Sequence, residues 1–183
     1  LSVASRKTKR NAMKKEESKV IAQKLQKIPN GTLALKHCRA GGTGNTLFGE
    51  QFRAVTAGKG CMEAYETFPG IEVSFNVFLA SEVKFRHDAS DSVLEIYYCR
   101  SGRVGWNMQG GTAVYLGTGD VTAHSMACCA DSAMMFPLGY SEGISISVDL
   151  KQLSSICPEV LKNAGVEADQ LRDRFCSGKP SAI

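Results

Sequence analysis

One acid set ahead of a glycine turn, three histidines and seven cysteines hold most of the reactive chemistry in this 183-residue chain. The acid is Glu95, with six residues between it and Gly102, and a second turn follows as Gly111-Thr-Ala-Val-Tyr-Leu-Gly117-Thr-Gly119-Asp120, with His124 four residues on. A carboxylate and imidazoles converging on one point would suit an Fe, Mn or Zn ion. Other chemistries are harder to build. No G-x-S-x-G nucleophile elbow occurs, and His37, His87 and His124 are too scattered to mark a relay. The glycine-rich stretch Ala40-Gly-Gly-Thr-Gly-Asn45 has neither the lysine nor the strand-to-helix setting of a phosphate loop. Cysteines 38, 61, 99, 128, 129, 157 and 176 are odd in number and contain no CxxC pair, so they read as reduced and mostly buried thiols.

The elements that must position these groups are mostly strands. Ile71-Glu-Val-Ser-Phe-Asn-Val77 alternates apolar and polar residues after a Pro69-Gly70 turn, and Val93–Cys99 is apolar on both faces. Val104, Trp106 and Met108 alternate with Arg103, Gly105 and Asn107. Further strands are expected at Leu33–Cys38, Gln51–Ala57, Met62–Phe68, Thr112–Leu116, Val121–Met126, Ala133–Phe136 and Gly143–Val148. Glycine turns about every ten residues point to a sandwich or barrel. Asp149 with Gln152 is a capping-box pattern that opens a helix, Pro158 and Gly165 bracket a second, and Ala168 to Cys176 forms a third.

Composition places this assembly in one domain. Apolar content of 43% and charged content of 22% are ordinary for a globular protein. The net charge of +4 is unevenly spread: residues 1–30 hold nine Lys/Arg and two Glu, a net of +7, leaving 13 basic and 16 acidic residues elsewhere, a net of −3. The body is therefore not a nucleic-acid binder by charge. Residues 1–12 are expected to be disordered, with an amphipathic helix from Met13 to Ile28. No apolar run approaches the ~18 residues of a membrane span and no signal-peptide segment follows the basic start, so a cytoplasmic protein without a membrane partner is expected.

The acid and both turns resemble the motifs of the cupin barrel. A metal cupin adds two histidines before its acid and a third after the second turn. Those positions fall near Ala89 and Asp91 and at Thr122, while His124 is two residues displaced and His87 lies too far upstream. The expectation is a barrel without metal or other cofactor. Glu95 then either touches a ligand or is a buried carboxylate held by an arginine such as Arg103 or Arg53.

A closer resemblance lies in LEIYYCRSGRVGW, YLGTGDVTAHSM and FPLGYSEGISISVDLKQL. Their order is similar to the N-terminal sensing domain of AraC-type transcription regulators, nearest the clostridial branch. The matching positions are Glu95, Tyr98, Cys99, Gly102, Arg103, Leu116, Gly119, Asp120, Phe136, Pro137, Gly143, Ile144, Ile146 and Asp149, within roughly residues 45–180. After the basic lead-in over 1–30, the resemblance implies a mainly β chain with C-terminal helices: a cupin-like (jelly-roll) ligand-binding barrel over 31–149 and a helical dimerisation segment over 150–183. It also implies a helix-turn-helix DNA-binding domain, which is expected to be absent from this chain because too few residues follow position 176.

On this reading the chain is a non-enzymatic sensor. Its barrel would bind a neutral or cationic amphipathic small molecule through Glu95, Tyr97, Cys99, Trp106, Met108, His124, Met126 and Met134. Leu153, Leu161, Leu171 and Phe175 would pair across a homodimer, burying about 800 Å² per subunit. DNA would be contacted only through the missing domain. The alternative is a small metal-dependent cupin enzyme built on His87, Glu95 and His124. A carbohydrate-binding β-sandwich is a weaker third reading, since the aromatics are few and lie within strands.

Overall fold

Burial alternates along nearly every strand of this chain, and that alternation builds two packed layers on one curved sheet. The computed structural model describes residues 3–38, 53–87, 89–107, 111, 113–129, 132–176 and 181–182. A helix, α1 (Val3–Lys24), leads into β1 (Thr32–Cys38), β2 (Arg53–Thr56), β3 (Lys59–Phe68), β4 (Ile71–Leu79), β5 (Glu82–Arg86), β6 (Val93–Asn107), β7 (Ala113–Gly117) and β8 (Val121–Ser125). A 3-10 turn (Met126–Cys129) precedes β9 (Ala133–Met135) and β10 (Ser141–Asp149). The helices α2 (Leu150–Ser155), α3 (Glu159–Asn163) and α4 (Ala168–Phe175) follow, then the two-residue β11 (Ser181–Ala182). The main path of the sheet runs β1-β3-β4-β10-β6-β9-β5-β2, with β7 and β8 also on β6 and β11 on β8. Among the described residues every pairing is antiparallel except β1 with β3. The chain is thus mainly β, a cupin-like, nearly closed roll with helices after it.

β6 closes the roll. The sequence places a turn at Gly102, but the chain continues through it as one strand of 15 residues. Residues 93–102 pair with β10 and β8, and residues 103–107 pair with β7 and β9. The corner is a bulge: Glu142 faces Ser101 while Gly143 faces Cys99, which leaves Arg100 as the extra residue. Gly102 carries φ +88, and a Cβ there would strike the Tyr140 carbonyl oxygen, so only glycine suits the bend.

Other differences follow from context. The α1 helix begins at Val3, inside the stretch expected to be disordered. Lys, Arg and Ala are good helix formers, and extending an existing helix is far easier than starting one. Its anchor is C-terminal: Ile21 and, just past the helix, Leu25 bury against Tyr140, with Ile28, Val77 and Leu79 beside them. Tyr140 Oη donates to Glu17 Oε2 at 3.0 Å, and Lys24 Nζ lies 2.8 Å from Glu142. β5 was not anticipated, although Glu-Val-Lys-Phe-Arg alternates with Val83 and Phe85 inward.

The helices end as their residues dictate. Asp149 Oδ1 accepts from Lys151 N at 2.9 Å and Gln152 N at 3.1 Å, capping α2. Pro158 sits at the N-cap of α3, and Gly165 closes that helix with φ +72 while Val166 N donates back to Leu161 O at 3.0 Å. Leu150 and Leu153 of α2 and Ala168 of α4 pack against Leu94, Ala123 and Val148 of the sheet. Among the described residues no helix is long and apolar enough to cross a membrane.

Candidate functional site

The two faces of β10 set the character of the interior. Ser141, Gly143, Ser145 and Ser147 are buried, while Ile144 and Ile146 are half-buried on the opposite face. β4 matches it, burying Glu72, Ser74 and Asn76. Hydroxyls and an amide therefore line part of the barrel. Asn76 Nδ2 donates to Ser145 Oγ at 2.9 Å, and Ser74 Oγ donates to Asn76 Oδ1 at 3.3 Å. A chain satisfied only by packing would fill these positions with aliphatic groups, since a buried polar atom costs free energy unless paired.

A cavity of about 40 Å³ lies beside this ladder, and its lining includes Glu95, Tyr97, Trp106 and Met134. Those are four of the eight expected ligand-binding residues. The rest of the lining is Met62, Asn76, Phe78, Phe85, His87, Cys129, Ser132 and Ser145, of which only His87, in the metal-enzyme alternative, is among the residues expected at the site. Trp106 meets Tyr97 edge to face at 5.2 Å and His124 at 6.1 Å, giving the site a rigid aromatic floor. Each water needs about 10–15 Å³ of such space, so the cavity holds a few waters or an ion and its shell.

The remaining predicted residues fall elsewhere. His124 is 1% exposed and directly opposite Glu95 across the β6–β8 pairing, as Thr122 is opposite Tyr97. Cys99 and Met126 are fully buried in the packed core beside the cavity and do not line it. Met126 turns away because β8 ends at Ser125 and the chain enters the 3-10 turn. Met108 lies outside the described residues. Arg103 does not hold Glu95; it points outward, its guanidinium 5.6 Å over the Tyr115 ring. Leu153 is buried within its own chain, and Leu161, Leu171 and Phe175 are half-buried against the same cluster. The apolar groups left exposed on the helical segment are Ile156 and Val160.

The site's polar centre is a cluster of four. Glu95, His124 and Cys129 are all buried, and their potential donor atoms lie within 4.8 Å of one another. Cys129 Sγ stands 3.5 Å from His124 Nε2 and 3.9 Å from His87 Nε2. The positions where a metal cupin keeps its histidines hold exposed Ala89 and Asp91 and buried Thr122. His87 arrives by another route, just past the end of β5, so counting back along the chain from Glu95 could not find it. Cys129 gave no signal in sequence beyond its neighbour Cys128. The third histidine sits apart, His37 Nε2 being 2.8 Å from Glu72.

Burial governs the protonation of these groups. It raises the Glu95 carboxyl to about 7, a hydrogen bond from Ser145 opposing the rise and the charge of Glu72 adding to it. It lowers His124 to about 4, with His87 adding to the effect. The Cys129 thiol is pushed well above its ordinary range, first by burial and then by Glu95 and Cys128. His124 and Cys129 are thus uncharged at neutral pH, and Glu95 is near its midpoint. Tyr97 is likewise held protonated by burial.

No family model matches the chain, and no curated protein matches it. Among solved structures it is similar to an RmlC-like cupin protein from Desulfovibrio desulfuricans (12% identity, 59% of this chain and 96% of that one, TM-score 0.41). It is also similar to a cupin 2 conserved barrel domain protein from Salinispora arenicola (14%, 72% and 91%, 0.40). A third likeness is to a putative ethanolamine utilization protein from Salmonella typhimurium (11%, 58% and 77%, 0.39). The fold of this chain is defined by its own strand pairing, independently of these likenesses.

Proposed function

We propose that this chain is the effector-binding and dimerising domain of an AraC-type transcriptional regulator, controlling an attached helix-turn-helix domain. One observation carries the reading: β6 is a single wall between the cavity and the helical layer. Glu95 and Tyr97 face the cavity, whereas Leu94 and Ile96 on the opposite face pack in the cluster that holds α2 and α4. The cavity is too small for an organic effector as it stands, so a molecule larger than a few waters must displace wall side chains. Close-packed interiors do not absorb such displacement locally. Occupancy and the position of the helices are therefore coupled, which is what a sensor requires.

The chemistry of the wall favours a small neutral or cationic molecule with hydrogen-bonding groups. Asn76 and Ser145 offer an amide and a hydroxyl, Glu95 a carboxyl, and Met62, Met134 and Trp106 soft apolar surface. The dimer contact would centre on the exposed Ile156 and Val160, with the half-buried Leu161, Leu171 and Phe175 at its edge.

Screening small neutral and cationic metabolites by Trp106 emission, with sedimentation velocity on each hit, tests the reading. A true effector shifts both the emission of this only indole and the monomer–dimer balance, and Val160→Asp abolishes the second response while sparing the first. A molecule that binds without moving the oligomeric state, or that is turned over, overturns it.

A further inference from the structure

We infer that Glu95, His124 and Cys129 form a binding site for one transition-metal ion of the zinc class, open toward the barrel cavity. This goes beyond the sensor reading and does not depend on it. The three residues come from β6, β8 and the 3-10 turn, yet their donor atoms converge within 4.8 Å. Two ligands at about 2.1 and 2.3 Å from one ion across a tetrahedral angle stand about 3.6 Å apart. Cys129 Sγ and His124 Nε2 are 3.5 Å apart. The spacing is that of an S–H···N hydrogen bond and also close to that of two ligands of one ion, so an ion could replace the shared proton with little movement.

Three further observations point the same way. The cluster is fully inside the protein, with Glu95, His124 and Cys129 at 9%, 1% and 5% exposure, where a metal would be shielded from water. The polar capacity of the cluster exceeds its hydrogen bonds: His124 Nδ1 is buried with no hydrogen-bond partner among the described residues. The cavity alongside, about 40 Å³, admits an ion's outer ligand but nothing much larger. Aliphatic groups would fill this centre at lower cost, so four polar side chains gathered here call for an occupant.

The donor set selects the ion. Imidazole nitrogen with thiolate sulfur suits Zn²⁺, Co²⁺ and Fe²⁺ and is poor for Mg²⁺ or Ca²⁺, which want oxygen. Cys129 binds as the thiolate, its proton passing to solvent. Three protein donors leave a further position to be filled from the cavity, as in zinc sites that engage exogenous ligands. His87, 3.9 Å from Cys129 Sγ and on the cavity wall, is placed to orient what enters there. The set is not the cupin arrangement shifted in register, because Cys129 belongs to neither glycine-turn motif.

The test uses the whole chain, stripped with chelator and titrated with Co²⁺. One Co²⁺ per chain is expected, with thiolate-to-metal charge-transfer absorption that Zn²⁺ displaces. Cys129→Ser should lose that absorption and weaken binding by at least about a hundredfold, and Glu95→Gln, which is isosteric, by about ten- to a hundredfold. Cys128→Ser, altering the half-buried neighbour, should leave both unchanged. Trp106 emission and far-ultraviolet dichroism report folding, and if Cys129→Ser does not fold, Glu95→Gln decides. Binding below one ion per chain, affinity unmoved by Glu95→Gln, or absorption that follows Cys128 instead of Cys129, overturns the site. Failure here leaves the coupling of effector to oligomeric state untouched, because that is read by sedimentation without metal.

Discussion

The inner and outer faces of β6 obey opposite rules. Inward, Glu95, Tyr97 and Cys99 place a carboxyl, a phenol and a thiol in a space that an ordinary barrel would fill with aliphatic side chains. Outward, Leu94 and Ile96 meet Ile146, Val148, Leu150 and Leu153 in an apolar layer of the kind usually found inside. The comparison teaches that this stretch of β6 places polar groups within a barrel otherwise packed with Phe78, Phe85, Val104, Leu116 and Phe136, and sends its own aliphatic side chains to the helices. Stability is therefore shared between an inner core and the layer under the helices. That division also explains how a short helical segment stays ordered: α2, α3 and α4 are each too short to persist alone and borrow their structure from the sheet.

Breaking the outer face should cost most. Leu94→Ala removes a fully buried side chain between sheet and helices and is expected to lower stability by about 3 kcal/mol, measured by urea unfolding. The matched inner change, Glu95→Gln in metal-free protein, should move stability by no more than about 1 kcal/mol, since an isosteric amide keeps the shape and can still pair with Ser145. Equal losses from the two would erase the contrast between faces.

Next comes the point where β10 meets β6. A methyl on Gly143 would overlap the Tyr97 hydroxyl and ring, so Gly143→Ala should cost about 2 kcal/mol by overpacking. Shortening the clash with Tyr97→Phe should recover part of that loss, which a double-mutant cycle would show as non-additivity. A smaller effect belongs to the junction into the helices. Asp149→Ala leaves the α2 amides of Lys151 and Gln152 without their acceptor and should cost about 1 kcal/mol while the roll itself is retained.

The last effect is a pH slope, confined to alkaline solution. Burial raises the Cys99 thiol from its ordinary value to about 11. Between the unfolded and folded values the unfolded chain gives up this proton and the native chain keeps it. The stabilising contribution is therefore complete below the ordinary thiol range and is lost as pH rises through about 11. Cys99→Ala should flatten that part of the stability profile; an unchanged slope would mean that Cys99 is more open to water than its complete burial indicates.

Much of the chain is legible from local signals. Glycine and proline turns mark strand boundaries, Asp149 and Gly165 mark helix ends, and Glu95 and His124 stand out as site candidates from two motifs. These features depend on a few neighbouring residues, so a linear reading reaches them. His87 and Cys129 are different. One follows a short strand that alternation alone did not reveal among charged residues, and the other lies on a 3-10 turn where the period of two has already ended. Only the folding of β5, β6, β8 and that turn around one point brings them together.

The amino-acid order by itself determined most strands, the helix ends and which residues of a strand share a face, because side-chain alternation and capping are local. It did not decide which face of β10 points inward. Serines on one side and isoleucines on the other would ordinarily put the isoleucines in the barrel. Tertiary structure reversed that choice, since α2 and α4 cover the outer face and give apolar side chains a second place to escape water. The same long-range packing turned Gly102 from an expected hairpin into a bulge, because the close approach of the Tyr140 carbonyl from β10's entry lets the strand bend without ending.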